Sequence, residues 1–310
     1  MSLMILFSAP DRLWPAYSEA LPKAFDAAGI DVHLTRETDP ETVDYIVYAP
    51  NDALRDFTPF IRTKAVLSLW AGVEKIAPNT TLTQPLCRMV DTGLALGMRD
   101  YVVGHVMRHH LGMDRHIHGL NGVWDQTTPP LARDRKVTVL GMGELGRTCA
   151  DALSGLGFDV TGWSRRPKDV PGITSLSGPD GLQKALSTAE ILVLLLPDTS
   201  QTQSILNAVT LNRLPKGAMI VNPGRGTLID DTALLAALDS GRIAHATLDV
   251  FRTEPLPEDH PYWSHPMVTV TPHIAAETRP ATASEVIAEN IRRGEAGEPF
   301  LHLVDRSAGY

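Results

Sequence analysis

The segment Val137-Thr138-Val139-Leu140-Gly141-Met142-Gly143-Glu144-Leu145-Gly146 constrains the fold more than any other part of this 310-residue chain. A short apolar run enters a G-x-G-x-x-G turn, and a helical pattern follows from Leu145 to Leu156. Each glycine has a chemical reason. Gly141 makes the tight turn, Gly143 lets the main chain approach a pyrophosphate, and Gly146 lets the helix pack close to the strand. The helix N-terminus then turns its free N–H groups and positive dipole end toward the phosphates. Alone, such a pattern can be an ordinary glycine turn. With a strand before it and a helix and strand after it, it reads as a dinucleotide-binding turn over Gly141, Met142, Gly143, Glu144, Leu145 and Gly146.

The rest of the chain alternates in the same manner. Met4 to Ser8, Val32 to Thr35, Tyr45 to Tyr48 and Val66 to Trp70 read as strands, with a helix from Pro15 to Gly29. Residues 98 to 113 read as one long helix. After the strand at Lys136 to Leu140, further strands are expected at Asp159 to Trp163, Ile191 to Leu195, Met219 to Asn222, His245 to Asp249 and Val268 to Val270. Strands alternating with helices imply parallel sheets. Met1-Ser2-Leu3 reads as an expression scar ahead of an initiator at Met4.

The end of the strand after the glycine turn selects the cofactor. Units that bind NAD usually carry an acidic residue there for the ribose hydroxyls. Here the segment reads Trp163-Ser164-Arg165-Arg166-Pro167-Lys168, with no carboxylate at the tip. Ser164 offers a hydroxyl, and Arg165, Arg166 and Lys168 offer cations to a 2′-phosphate, which a guanidinium fork suits. The alternative is an exposed basic turn. The expected cofactor is NADP(H), with NAD(H) second.

Three more segments follow strands of this second series. Arg225 lies in Asn222-Pro223-Gly224-Arg225-Gly226, Glu254 in Phe251-Arg252-Thr253-Glu254-Pro255, and His273 in Thr271-Pro272-His273. In open α/β sheets, ligands gather at the carboxyl ends of strands. An arginine can bind a 2-oxo acid through its oxygens, and a histidine can supply the proton that a new alkoxide needs. A neighbouring carboxylate would orient the imidazole. Taken singly, the arginine also fits a surface ion pair and the Pro-His step an ordinary loop.

Composition excludes several classes. Thirty-six acidic against 28 basic residues give a formal charge of −8, against nucleic-acid or anionic-membrane partners. The 43% hydrophobic content supports a large core. The two cysteines, Cys87 and Cys149, make a disulfide framework improbable, fit a reducing compartment and read as small buried hydrophobes. The longest apolar run is too short for a bilayer, and the expected location is the cytoplasm. His105 and His109 stand i, i+4 on the long helix, with His110, His116 and His118 after them. They read as a polar helix face or a subunit contact, and no metal site is expected. Tyr101, Val102, Val106 and Leu111 read as that helix's apolar stripe.

Taken together, these segments resemble the D-2-hydroxyacid dehydrogenase family, and within it the glyoxylate/hydroxypyruvate reductases. The resemblance runs through Ala71-Gly72-Val73, the glycine turn, Trp163-Ser164-Arg165, Leu194-Leu195-Leu196-Pro197, Leu248-Asp249-Val250-Phe251, Glu254-Pro255-Leu256-Pro257, Thr271-Pro272-His273 and Thr278-Arg279-Pro280. It extends to the tail Val304-Asp305-Arg306 and Gly309-Tyr310. It implies NADPH-preferring reduction of small 2-oxo acids such as glyoxylate and hydroxypyruvate. Arg225 is then the substrate binder, Glu254 the histidine's partner and His273 the proton donor. Further cofactor contacts fall at Leu196, Pro197, Asn222, Pro223, Gly224 and Asp249, and the substrate carboxylate meets backbone amides at Ala71, Gly72 and Val73. The chain departs from the subgroup at Trp70, where glycine is usual, at Glu74, where aspartate is usual, and at the less apolar Asn222-Pro223-Gly224. Trp70 either narrows the substrate pocket or packs. The implied fold is two doubly wound α/β domains with a cleft between them: a flavodoxin-like substrate domain of residues 1–97 and 275–310, and a Rossmann domain of 98–274. A homodimer is implied through the long-helix region. Corepressors built on the same fold, which work as nucleotide-dependent interaction modules, and dehydrogenases of other 2-hydroxy acids remain the alternatives.

Overall fold

The structure, a computed structural model, describes residues 2–306. In chain order its main elements are β1 (Leu3–Ser8), α1 (Trp14–Ala27), β2 (Val32–Thr35), β3 (Tyr45–Tyr48), β4 (Ala65–Ser68), β5 (Leu86–Cys87), α2 (Thr92–Leu111), α3 (Met113–Ile117), β6 (Lys136–Leu140), α4 (Glu144–Gly155), β7 (Asp159–Ser164), β8 (Thr174–Ser177), α5 (Gly178–Thr188), β9 (Ile191–Leu194), α6 (Ala208–Leu211), β10 (Ala218–Asn222), α7 (Asp231–Asp239), β11 (Ile243–Leu248), β12 (Val268–Val270) and α8 (Pro280–Ala296). They form two compact units, one running to Leu94 and resuming at Glu277, the other covering Ala95–Ala276.

The first unit holds a parallel five-stranded sheet in the order β2-β1-β3-β4-β5, the flavodoxin-like arrangement. β3 and β4 read YIVY and AVLS and are buried at every position, as a sheet covered on both faces requires. One face packs α1 and α8 through Leu21, Phe25, Ile287 and Ile291; the other buries Phe57, Phe60, Val66 and Leu82. Leu3 belongs to β1 and pairs with Val32. Arg306 in the tail donates to the carbonyls of Ala77, Asn79 and Leu82. Gly309 and Tyr310 lie outside the described residues.

The second unit carries a parallel seven-stranded sheet in the order β12-β11-β10-β9-β6-β7-β8. The chain leaves β6 toward β7 and β8, then returns to β9 on the other side, so β6 and β9 flank the topological switch point. β9, ILVL, is wholly buried at the sheet centre. β8, TSLS, has no buried position and closes one edge. Its weak apolar signal explains why sequence patterning passes over it.

The long helix departs from expectation at both ends. α2 starts at Thr92, not at residue 98, and stops at Leu111 because Gly112 takes a left-handed φ of 62°. Asp91 accepts from Leu94 N at 3.2 Å and starts the helix, which runs through Gly93 and Gly97. Leu94, Met98, Val102 and Val106, each four residues apart, are buried. The expectation of a solvated or intersubunit histidine face is corrected at two positions. His109 and His110 are each 5% exposed, packed inside their own unit.

Candidate active site

Each strand of the seven-stranded sheet ends on the same edge, and each expected functional segment of the second unit follows one of those ends. The glycine turn follows β6. Gly141 has φ of 108°, and a Cβ there would lie 2.4 Å from the Leu195 carbonyl oxygen at the end of β9. A Cβ at Gly146 would lie 1.7 Å from the Gly141 carbonyl oxygen. Both positions therefore admit only glycine. A Cβ at Gly143, by contrast, would meet nothing within 4 Å. Gly143 is the N-cap of α4 and supplies no side-chain cap. The first turn of this helix therefore has no N-cap side chain to accept from its N–H groups, which is the chemistry a pyrophosphate fits.

Beyond β7, Arg165 and Arg166 are exposed. Ser164 is 8% exposed and its hydroxyl donates to the Arg166 carbonyl at 2.7 Å, shaping the turn. Lys168 Nζ donates to the Met142 carbonyl at 2.6 Å, tying the basic turn to the glycine turn. At the end of β9, Leu196 is buried and the Pro197 carbonyl accepts from Thr202 Oγ1 at 2.6 Å.

The turn after β10 is built on Asn222. This residue is wholly buried; its Nδ2 donates to the Arg225 carbonyl at 2.9 Å and its Oδ1 accepts from Gly224 N at 3.1 Å. Its side chain is a strut that bends the chain past Pro223 and Gly224 and leaves Arg225 half-buried in extended backbone. The Asp249 side chain plays a similar structural part. It is 1% exposed, and its carboxylate accepts from Thr271 Oγ1 at 2.6 Å and from the Ile274 and Ala275 amides at 2.9 Å each. Because Thr271 donates to Asp249, the Tyr101 hydroxyl, 2.7 Å away, must donate to Thr271. Sequence reasoning missed this strut role. Its one signal was an aspartate ending the apolar strand β11, where a buried carboxylate needs partners.

This bracing holds His273. Its amide donates to the Asp249 carbonyl at 2.8 Å, and its φ of 55° lies in the left-handed region that few non-glycine residues adopt. The imidazole Nδ1 stands 2.8 Å from Glu254 Oε2, while Glu254 Oε1 accepts from Phe251 N at 2.9 Å. Nδ1 is thereby assigned the proton, and Nε2 is the nitrogen left for chemistry. The residue remains exposed, with a side chain 53% accessible.

In the first unit, Trp70 is half-buried and packs against the core around Phe7 and Met89. Ser68 Oγ donates to the Trp70 carbonyl at 3.0 Å and shapes the turn that continues into Ala71, Gly72 and Val73. Cys87 and Cys149 are free and buried, and burial pushes both thiols up to about 12, which leaves neither a ready nucleophile. Among the described residues no group of three His, Cys, Asp or Glu side chains is placed to hold a metal ion, and no helix is long and apolar enough to cross a membrane.

A glycine turn at the switch point of a doubly wound sheet, with a carboxylate-oriented histidine on the same edge four strands away, defines a dinucleotide-dependent dehydrogenase. The model of the D-isomer specific 2-hydroxyacid dehydrogenase NAD binding domain matches residues 102–275, and the chain belongs to that family. It is 39% identical over 284 residues to glyoxylate/hydroxypyruvate reductase A of Yersinia enterocolitica, covering 89% of this chain and 90% of that protein. Among solved structures, a D-isomer specific 2-hydroxyacid dehydrogenase from Xanthobacter autotrophicus Py2 in complex with NADPH and MES matches with a TM-score of 0.91, 39% identity and 100% of both chains. An NADPH-dependent glyoxylate/hydroxypyruvate reductase from Sinorhizobium meliloti in complex with NADP and sulfate matches with a TM-score of 0.87, 31% identity and 100% of both chains.

Proposed function

We propose that this chain reduces small 2-oxo acids, glyoxylate and hydroxypyruvate among them, to 2-hydroxy acids, with NADPH preferred over NADH. The observation that carries the proposal is the His273–Glu254 pair at 2.8 Å, on a histidine whose backbone is held in an uncommon conformation. The names of the Yersinia and Sinorhizobium relatives support the substrate class, and the ligands of the two solved structures support the cofactor.

The bound nicotinamide cofactor supplies hydride to the 2-oxo carbon. The protein supplies position and charge. Met142, Gly143, Glu144 and Leu145 would offer main-chain N–H groups and open space to the pyrophosphate, and Arg165 and Arg166 would pair a 2′-phosphate. Leu196, Pro197, Pro223 and Gly224 would line the nicotinamide side. Arg225 would hold the acid's oxygens. In the first unit, amides at Ala71, Gly72 and Val73 are assigned to carboxylate binding. With both ring nitrogens protonated, His273 Nε2 would give its proton to the oxygen that becomes the hydroxyl, while Glu254 holds the ring through Nδ1. A cytoplasmic homodimer is proposed as the working state. The exposure of Ile117 at 69%, Val123 at 64% and Trp124 at 87% on one short stretch supports a partner there.

The test is NADPH consumption with a panel of 2-oxo acids of increasing side-chain size. Glyoxylate and hydroxypyruvate should be turned over best, and His273→Ala should abolish most turnover while NADPH still binds. A folded His273→Ala protein with near-normal turnover would sink the mechanism, and a wild-type protein inert toward the whole panel would sink the function.

A further inference from the structure

We propose that Arg252 is a positioning residue that sets the spacing between Arg225 and the Glu254–His273 pair by fastening their two loops together. The inference rests on the reading of those three residues as the reacting set.

Arg252 lies on the loop after β11, two residues before Glu254. Its guanidinium reaches across to the turn that follows Arg225. Nε donates to the Ile229 carbonyl at 2.8 Å, and Nη2 donates to the Ile229 carbonyl, to the Thr227 carbonyl at 3.3 Å and to Ser204 Oγ at 2.7 Å. The Asp231 carboxylate lies 3.8 Å from Nε and accepts from the Tyr262 hydroxyl at 3.0 Å. One planar fork thus gathers acceptors from three points along residues 227–231 and one on the segment at Ser204. An ammonium could not match that geometry.

The two loops also meet through their backbones. A Cβ at Gly226, the residue next to Arg225, would lie 2.0 Å from the Phe251 carbonyl carbon and 2.4 Å from Arg252 N. Phe251 N, on that same stretch, is the donor to Glu254 Oε1. The contact at Gly226 forbids the loops to close further, and the Arg252 fork forbids them to part. Ser204 is the second sign of a clamp: it holds a left-handed φ of 50° and is fixed there by its amide to the Thr227 carbonyl at 2.8 Å and by Arg252. The Arg252 side chain is 38% accessible, so it adds little to the core. Its effect is on registration, and through registration on the placement of two reacting groups, where an error of about 1 Å is felt strongly.

Arg252→Ala and Arg252→Lys test this. In Arg252→Ala, KM for glyoxylate should rise and kcat/KM should fall on the order of 10- to 100-fold, with NADPH affinity within about two-fold of wild type. Arg252→Lys keeps the charge without the fork and should recover only part of the loss; it carries the same readouts if the alanine variant does not fold. Amide hydrogen exchange should quicken in residues 225–231 and 251–255 and nowhere else. Kinetics unchanged within about two-fold, or losses shared equally by NADPH affinity and thermal stability, would overturn the proposal. Should the wild-type protein reduce no 2-oxo acid, the functional reading falls by itself. The exchange pattern then still decides the clamp, which fails if the two loops exchange as in wild type.

Discussion

Acidification to about pH 5 should destabilise the second unit through two buried imidazoles. His109 on α2 lies with Nε2 3.0 Å from Thr247 Oγ1, and the His245 ring on β11 is 5.2 Å from it, with its own Nε2 2.9 Å from Thr269 Oγ1. Burial first, then the His245 ring, Arg108 and His105, hold His109 down to about 3 from 6.5, against an opposing pull from Asp114. Burial, Arg108, His105 and His118 hold His245 down to about 4, again opposed by Asp114. Both folded values lie below the unfolded one. The unfolded chain therefore binds more protons between about pH 6.5 and the folded values, and stability falls as pH falls through that window. At about pH 5 each imidazole accounts for about 2 kcal/mol, and the pair for about 4, out of a typical total of about 5–15 kcal/mol. Thermal or urea unfolding at about pH 7.5 and about pH 5 reads this directly. For a unit of this size the midpoint should drop by roughly 8–15 °C between the two. His109→Gln and His245→Gln should each remove about half of that drop and the double variant nearly all, since glutamine keeps a polar group and loses the titration. A double variant that remains as acid-sensitive as wild type would refute the reasoning.

Gly143→Ala and Gly146→Ala should separate binding from folding. The first meets open space and should fold normally while NADPH affinity drops at least about tenfold; the second collides with the Gly141 carbonyl and should lose about 1–3 kcal/mol of stability along with the cofactor. Fluorescence titration and melting of both variants check this, and equal behaviour would contradict it. Replacing Arg165 and Arg166 with alanine should cut the NADPH-over-NADH ratio of kcat/KM by roughly tenfold or more per arginine, as charge-assisted hydrogen bonds of about 1.5–3 kcal/mol would require; an unchanged ratio places the 2′-phosphate elsewhere. Asp249→Asn turns an amide group toward backbone donors at Ile274 or Ala275. It should cost about 1–3 kcal/mol and lower kcat, because the loop holding His273 loosens; unchanged kcat and melting would refute the strut.

The elements that were legible in the chain are those whose signal is local. The glycine turn follows from steric demands met within ten residues, and β2, β3, β6 and β12 were read to the residue, although of these only β3 is buried at every position. The positions of Arg225, Glu254 and His273 followed from the rule that such sheets present ligands at strand ends, and the resemblance supplied their roles. What tertiary structure alone decided is where polar side chains find partners. The burial of His109 depends on Thr247, 138 residues away, and the polar sequence around it gives no hint that β11 covers it. Asp249 and Asn222 sit in motifs that point toward a ligand, yet their side chains bond to neighbouring backbone beneath the site. Arg252 carries no sequence motif of its own, and only the fold brings the carbonyls of residues 227 and 229 within its reach. Backbone sterics and apolar periodicity are written into short stretches of chain. Hydrogen-bond partners and burial depend on which distant stretches the sheet places side by side.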